Sequence, residues 1–514
     1  MRLNKKLVAC SFLLVAASVQ ADDGIDRMNF ADMRHALDSG DLSSEQLVRH
    51  YLDNIQANNH QGHNINALVT INEQAIEQAR KWDAQRANNP KAKYAPLAGI
   101  PFVVKDNFDT AGMVTTGGSY VLRSSVPSQD AFTVKKLLDE QAILLGKANL
   151  SELAASFGWF GYSSFGGQTL NPRNTKRDAS GSSSGSAAAV AAGFAPFALG
   201  SDTSGSIRAP ASVTGTVGFR PSQGLISRSG IIPLSLTFDT AGVITNSVMD
   251  QAIVLDAIKG QDKSDAATLE LPADNIQFQP TLNRASLQGK TIGVVTNFKG
   301  ANPEVDAVFE AAQETLRKRG ARVVPIVLPK VFETLWTDVL GPVGESEFKP
   351  QFERYLATLG LGQPRTLAQF LDLAKQNQAE NGAHGMKPAR LAGLEALANA
   401  ASTDSPLYIS ILSRTIPQLR AQLMDIMKEN GLDSLFFATI NCPASVVHGV
   451  TDDSYVCGAG DTYASSYIAS ATGFPEISVP AGVIKGDLPV GVSFLGGEGE
   501  DAKVLGFGYA FIGR

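Results

Sequence analysis

The chain of 514 residues carries 44 basic and 50 acidic side chains, a formal net charge of −6, with 44% hydrophobic and 18% charged residues. That balance builds a globular protein with a sizeable core and excludes wholesale disorder. With no basic run it also argues against a nucleic-acid partner, because neutralising phosphates needs clustered Lys and Arg. About 150 residues per domain would give three domains, but no repeat or linker divides the chain. A signal at 1–21 followed by a single α/β domain over 22–514 is therefore expected.

Residues 1–21 read as a secretory signal. Arg2, Lys5 and Lys6 form a basic start, an apolar stretch covers 7–17, and Val19-Gln20-Ala21 places small residues at a cleavage point before Asp22. An uncleaved anchor is the alternative, yet the run is shorter than the roughly 17 apolar residues of a span. Leu7-Val8-Ala9-Cys10 resembles a lipoprotein box but comes too early. The expected mature protein is soluble, periplasmic or secreted, and free of stable membrane association. Export places Cys442 and Cys457 in an oxidising compartment, where they form either one disulfide, the pairing we expect, or two separate buried thiols. His448 stands alone near them and no CxxC or HxxxH spacing occurs, so no metal is expected.

Along the chain, 29–40 and 43–57 read as helices, the second opened by Ser43 and Gln46 at capping-box spacing. A strand follows at 65–71, a helix at 73–86, and an apolar strand at 96–105 that ends on Lys105. Residues 106–250 are dense in Gly, Ser and Thr, with helices at 131–141 and 186–193. A strand at 291–295, a helix from Pro303 and a strand at 322–327 form a βαβ-like unit. The pattern is mostly helical from 330 to 435, and 473–497 returns to short apolar strands.

Two segments carry the chemistry. The first runs Ser180-Gly181-Ser182-Ser183-Ser184-Gly185-Ser186 into an Ala-rich helix; the second is Gly200-Ser201-Asp202-Thr203-Ser204-Gly205-Ser206-Ile207-Arg208. A flexible linker would not lead straight into a helix, and a phosphate loop would need the Walker lysine. A nucleophilic serine is the sharper reading, and it requires a base. None of the six histidines (His35, His50, His60, His63, His384 and His448) falls among these motifs. A Ser-His-Asp triad would have to recruit His384 or His448 from afar, without a GxSxG elbow. Lysine is the remaining base. Lys105 closes a buried strand, where poor solvation favours the neutral amine, and Lys147 in Leu144-Leu145-Gly146-Lys147 competes for the role.

These segments, with the upstream Gly99-Ile100-Pro101 and Lys105-Asp106, resemble the amidase signature family. The resemblance spans residues 28–512 and is strongest to bacterial peptide amidases. It implies a large mixed β-sheet flanked by helices on both faces, with 330–435 supplying variable helices around the substrate. It implies an exported amidase acting on carboxylic or peptide amides through a Ser-Ser-Lys triad and an acyl-enzyme, with no cofactor. By motif the base is Lys105, the relay Ser182 following a cis peptide bond, and the nucleophile Ser206. The oxyanion hole falls on the N–H groups of Thr203, Ser204, Gly205 and Ser206, supported by Ser183, Asp202 and Arg208. Rival readings are a glutamyl-tRNA amidotransferase A-like subunit and a non-catalytic binding protein on an amidase scaffold. Phe157, Trp159, Phe160, Tyr162 and Phe165 precede the Gly/Ser loop, either lining an apolar pocket or packing in the core.

Overall fold

The computed structural model describes residues 22–271, 276–380 and 384–513; the expected signal at 1–21 lies outside them. Among the described residues no helix is long and apolar enough to cross a membrane.

Eleven strands form one sheet. In chain order they are β1 (Leu68–Ile71), β2 (Pro101–Lys105), β3 (Ile143–Ala148), β4 (Phe197–Asp202), β5 (Val217–Arg220), β6 (Thr240–Thr245), β7 (Thr291–Val295), β8 (Arg322–Ile326), β9 (Ser434–Ala438), β10 (Glu476–Ile484) and β11 (Leu488–Leu495). Across the sheet they run β1-β3-β2-β4-β6-β5-β10-β11-β9-β7-β8. The sheet is mixed. β3, β2 and β4 are parallel neighbours, β4, β6, β5, β10, β11 and β9 alternate, and β9, β7 and β8 are parallel again.

Alternation within single strands shows that both faces are covered. Phe436 belongs to one apolar cluster, while Leu435 and Phe437 belong to another; Phe494 and Leu495 divide the same way. A period of two sends neighbouring side chains to opposite faces, so helices must pack on each side. The continuous apolar runs of β2, β3 and β9 follow from burial on both faces.

Local sequence accounts for most boundaries. The helix Phe30–Ser39 starts at an Asn29–Asp32 capping box and ends at Gly40 with φ 82°. The helix Ser44–Asn58 starts at the Ser43–Gln46 box read from the sequence. The strand expected at 65–71 begins only at Leu68, because Asn64 and Asn66 take left-handed φ of 49° and 54°, a conformation asparagine tolerates. The helix expected at 186–193 is Ser184–Ala191. The helical stretch expected through 435 ends at Glu429, and β9 begins at Ser434.

Cys442 and Cys457 are bonded, with Cα atoms 5.6 Å apart. The loop they close is also gripped by Arg177, which donates to Ala444 O at 3.1 Å and Ser454 Oγ at 2.8 Å and pairs with Asp452 at 2.9 Å. It is thus not held by its ends alone. Closing a loop of this length stabilises mainly by restricting the unfolded chain. Replacing both cysteines by serine should lower the unfolding free energy by about 2–3 kcal/mol, measured by denaturant titration; an unchanged midpoint would show that Arg177 alone secures the loop.

Candidate active site

Strands β2 and β4 are parallel neighbours, paired at Val103–Ala198 and Val104–Leu199. Their C-terminal ends therefore lie side by side, and Lys105 closes one while Ser201 and Asp202 close the other. Lys105 is fully buried. Its Nζ donates to Ser182 Oγ at 2.8 Å, Ser201 Oγ at 2.9 Å and Ser201 O at 3.2 Å. Asn107 Nδ2 also donates to Ser201 Oγ, at 3.0 Å. Burial pushes the Lys105 amine down to about 7, against the opposing pull of the Asp202 and Asp239 charges. It is neutral in a substantial fraction of molecules near neutral pH.

Ser182 follows a cis Gly181–Ser182 peptide bond. The loop is held from both sides. Ser183 Oγ donates to Ser201 O at 3.1 Å, and the Ser183 N–H donates to Ser206 O at 3.0 Å. Ser180 takes the left-handed φ of 59°, its N–H donates to Asp178 Oδ1 at 2.9 Å, and its hydroxyl bonds to the Tyr463 hydroxyl. At Gly185 an added Cβ would stand 2.3 Å from Ala67 O, so only glycine lets the helix start so close to the chain entering β1.

The turn bearing Ser206 is built around Asp202. Asp202 Oδ1 accepts from Gly205 N, Arg208 Nη2 and Arg220 Nη1, each at 2.9 Å; Oδ2 accepts from Ile207 N and Arg208 Nε, each at 3.0 Å. Arg208 also donates to Glu476 Oε2 at 2.5 Å and Ser466 O at 2.8 Å. All four charged groups are fully buried. Burial alone would raise the Asp202 pKa, but Arg208 and Arg220 hold it far below the usual carboxylate range.

Two points of the expected site change. The Gly205 N–H, expected among the oxyanion donors, is occupied by Asp202, because Gly205 at φ 109° turns it inward. The donors left are Thr203, Ser204 and Ser206, whose N–H groups have no acceptor among the described residues. Ser204 lies outside the left-handed region and is unstrained. Ser206 Oγ has no hydrogen-bond partner among the described residues, so the structure places Ser182 and Ser206 on one cavity without joining their hydroxyls.

Lys147 is equally buried but differently placed. It donates to Phe108 O, to Thr115 Oγ1 at 2.8 Å and to Thr110 Oγ1 at 3.1 Å, and lies 3.8 Å from Asp106. Burial lowers it to about 8 while Asp106 opposes the shift. None of its partners lines the cavity. His384 stacks on Tyr120 and His448 on Trp159; neither ring bonds to Ser182 or Ser206.

The cavity has a volume of about 570 Å³. Of the five aromatics singled out in the sequence, Phe157 and Phe160 line it, whereas Trp159, Tyr162 and Phe165 do not. Trp159 sits behind the wall, stacked on His448 at 3.7 Å and capped by Lys387 at 4.5 Å. The helices of 330–435 contribute Trp336, Leu340, Glu345 and Leu397 to its lining. Sequence reasoning missed Ser201, Asn107, Arg220, Glu476 and Tyr463. Ser201 stood inside a motif already singled out, and Arg220 and Glu476 lie in the segments 215–221 and 473–480 that share the resemblance; their contacts appear only in the fold.

The site thus joins a buried lysine–serine pair beneath a Gly/Ser loop to a second serine on the same cavity, all carried by a mixed sheet. A family model described as Amidase matches residues 46–505. Peptide amidase from Stenotrophomonas maltophilia superposes with a TM-score of 0.83 at 34% identity, covering 95% of this chain and 97% of that one. A peptide amidase in complex with the competitive inhibitor chymostatin matches with the same TM-score, identity and coverage. A glutamyl-tRNA(Gln) amidotransferase subunit of Prochlorococcus marinus (strain MIT 9215) is 32% identical over 485 residues, 93% of this chain and 96% of the relative. The chain belongs to the amidase signature family and is a hydrolase of that family.

Removing one member of a buried, paired charge cluster leaves its partner uncompensated, at a cost of about 3–5 kcal/mol. Arg208→Met should destabilise by that amount in denaturant unfolding and should impair turnover of any amide substrate. A loss below about 1 kcal/mol would show that Arg220 suffices to balance Asp202.

Proposed function

We propose that this protein is an exported amidase that hydrolyses carboxylic or peptide amides through Lys105, Ser182 and Ser206. The observation that carries the reading is the 2.8 Å contact between the buried Lys105 amine and Ser182, at the edge of the cavity Ser206 faces. Neutral Lys105 takes the proton of Ser182, and Ser182 takes that of Ser206. Ser206 Oγ then attacks the amide carbon. The N–H groups of Thr203, Ser204 and Ser206 receive the developing oxyanion, each worth about 3 kcal/mol in such sites. Protonated Lys105 returns its proton through Ser182 to the departing nitrogen, the C–N bond breaks, and ammonia or an amine leaves a Ser206 ester. Water attacks that ester, giving its proton back along the same relay to release the acid. The gap between the two serine hydroxyls is compatible with this path, since catalytic hydrogen bonds often tighten only when substrate binds.

The fit to peptide amidases over 95% of the chain supports an amide of peptide character. The Cys442–Cys457 bond supports an oxidising compartment, in line with the signal-like N-terminus. Both features disfavour the amidotransferase reading, which the 32% identity to the Prochlorococcus marinus relative would otherwise allow.

Incubating the mature protein with C-terminally amidated peptides should release ammonia and the free acid in equal amounts. Ser206→Ala should lower kcat by about 10⁴-fold or more, and Lys105→Ala or Ser182→Ala by about 10²–10⁴-fold with the fold intact. Wild-type rates in Lys105→Ala would remove the lysine from the mechanism.

The pH profile tests the base directly. Lys105 acts when neutral and its amine is lowered to about 7, so kcat/KM should be low in acid, rise through that region and level off above it. The rising limb should vanish or move in Lys105→Ala. A flat profile with the chemical step rate-limiting would contradict the assignment.

A further inference from the structure

The cavity is a ligand site on grounds independent of its charge: Ser206 is 7% exposed, and its hydroxyl faces the cavity without a protein partner among the described residues. Beyond the scissile bond, a substrate meets walls that are chiefly apolar and aromatic, with Phe157, Phe238, Trp336 and Tyr467 prominent. The charged side chains lining them, among the described residues, are Glu345 and Asp461. Neither forms an ion pair there. Asp461 is held in place by neutral donors, accepting from Tyr463 N at 2.9 Å and from the Tyr467 hydroxyl at 2.8 Å. Tyr467 in turn lies 5.5 Å from the half-exposed Trp336 ring.

Carboxylates and aromatic rings that line one cavity can both attract a cation, the first by charge and the second by the ring quadrupole. The neighbouring basic groups do not fill that role. Lys387 lies over Trp159 and Tyr162 and Arg390 over Phe157, and neither lines the cavity. A cavity bounded by two carboxylates of the same sign as the chain's net charge of −6 attracts cations and repels anions. Resting on the amide-hydrolase reading, we propose that Glu345 and Asp461 select amides bearing a positive charge away from the scissile bond, such as amidated peptides with a basic side chain beside the reacting residue.

Three N-acetylated dipeptide amides test this: Lys-Phe, norleucine-Phe and Glu-Phe amides, which share the reacting group and differ in charge at one side chain. The mature enzyme should show kcat/KM about tenfold higher for the lysine than for the norleucine compound, and lower again for the glutamate compound. Raising ionic strength should shrink the lysine advantage, since the Debye length falls to about 3 Å at 1 M salt. Glu345→Gln combined with Asp461→Asn should bring the lysine-to-norleucine ratio towards one. Equal rates for the three amides in the wild-type enzyme, at low salt, would overturn the proposal even if the double variant failed to fold. Should none of them be hydrolysed, the amidase reading is at fault instead. Calorimetric binding of the three compounds to Ser206→Ala then decides the charge preference: tighter binding of the lysine compound supports it, and equal binding overturns it.

Discussion

The turn that presents Ser206 depends on one buried carboxylate. Asp202 gathers two backbone N–H groups of the turn and two guanidinium groups, and Arg208 passes the charge on to Glu476. Burying four charges is favourable only when each is paired and hydrogen-bonded. This requirement couples the Ser206 turn at the end of β4 to β5 through Arg220 and to β10 through Glu476. Movement of the turn would unpair charges in three strands at once. The serine is therefore held by an ionic knot in the middle of the sheet, while the cavity walls come largely from helices and loops outside it.

The same physics separates the two buried lysines. Both terminate or nearly terminate parallel strands, both lose their water, and both are lowered towards neutrality by burial. Lys147 finds a carboxylate at 3.8 Å and three oxygen acceptors, which suit an ammonium that braces the 106–116 loop. Lys105 finds two serine hydroxyls and a carbonyl, with its acidic neighbours acting only through space. A base needs a hydroxyl to deprotonate and no counter-ion to keep it charged. The motif names Lys105, and the neighbours supply a physical ground for that choice under the proposed mechanism.

How much was legible depends on the range of each interaction. The capping box at Ser43–Gln46, the buried run into Lys105 and the strand–helix–strand unit from 291 to 326 are local, and periodicity and turn chemistry disclose them. Lys105, Ser182 and Ser206, the proposed triad, are named by family motifs; the structure sets Lys105 against Ser182 and lines one cavity with Ser182 and Ser206. The failures are of two kinds. Gly205 was read as an oxyanion donor because a motif specifies residues without the orientation of their backbone, and the Asp202 side chain had already claimed its N–H. Glu476 and Tyr463 lie far from the two Gly/Ser segments, joining the site across 268 and 283 residues of chain. No window of sequence contains such pairs.

The division of labour in the fold explains why chemistry and selectivity have such different sequence signatures. Lys105, Ser201 and Asp202 sit on the ends of adjacent strands, where sheet register fixes their spacing whatever the loops do. The aromatic wall has no such frame. Phe157 lies under Arg390 at 4.8 Å and Phe160 stacks on Tyr463 at 5.1 Å, while Trp159 between them meets His448 of the disulfide loop and Lys387 of the helical region, and Gly158 O meets His448 Nε2 at 2.9 Å. Those contacts join three segments remote in sequence, none of them paired into the large sheet. A substitution in any one reshapes the cavity without touching Ser206, whereas a substitution around Asp202 disturbs Ser206 and the sheet together. Under the proposed function, the frame on the strand ends can stay constant while the wall varies, so substrate choice would be read from side-chain contacts in the wall rather than from the Gly/Ser motifs.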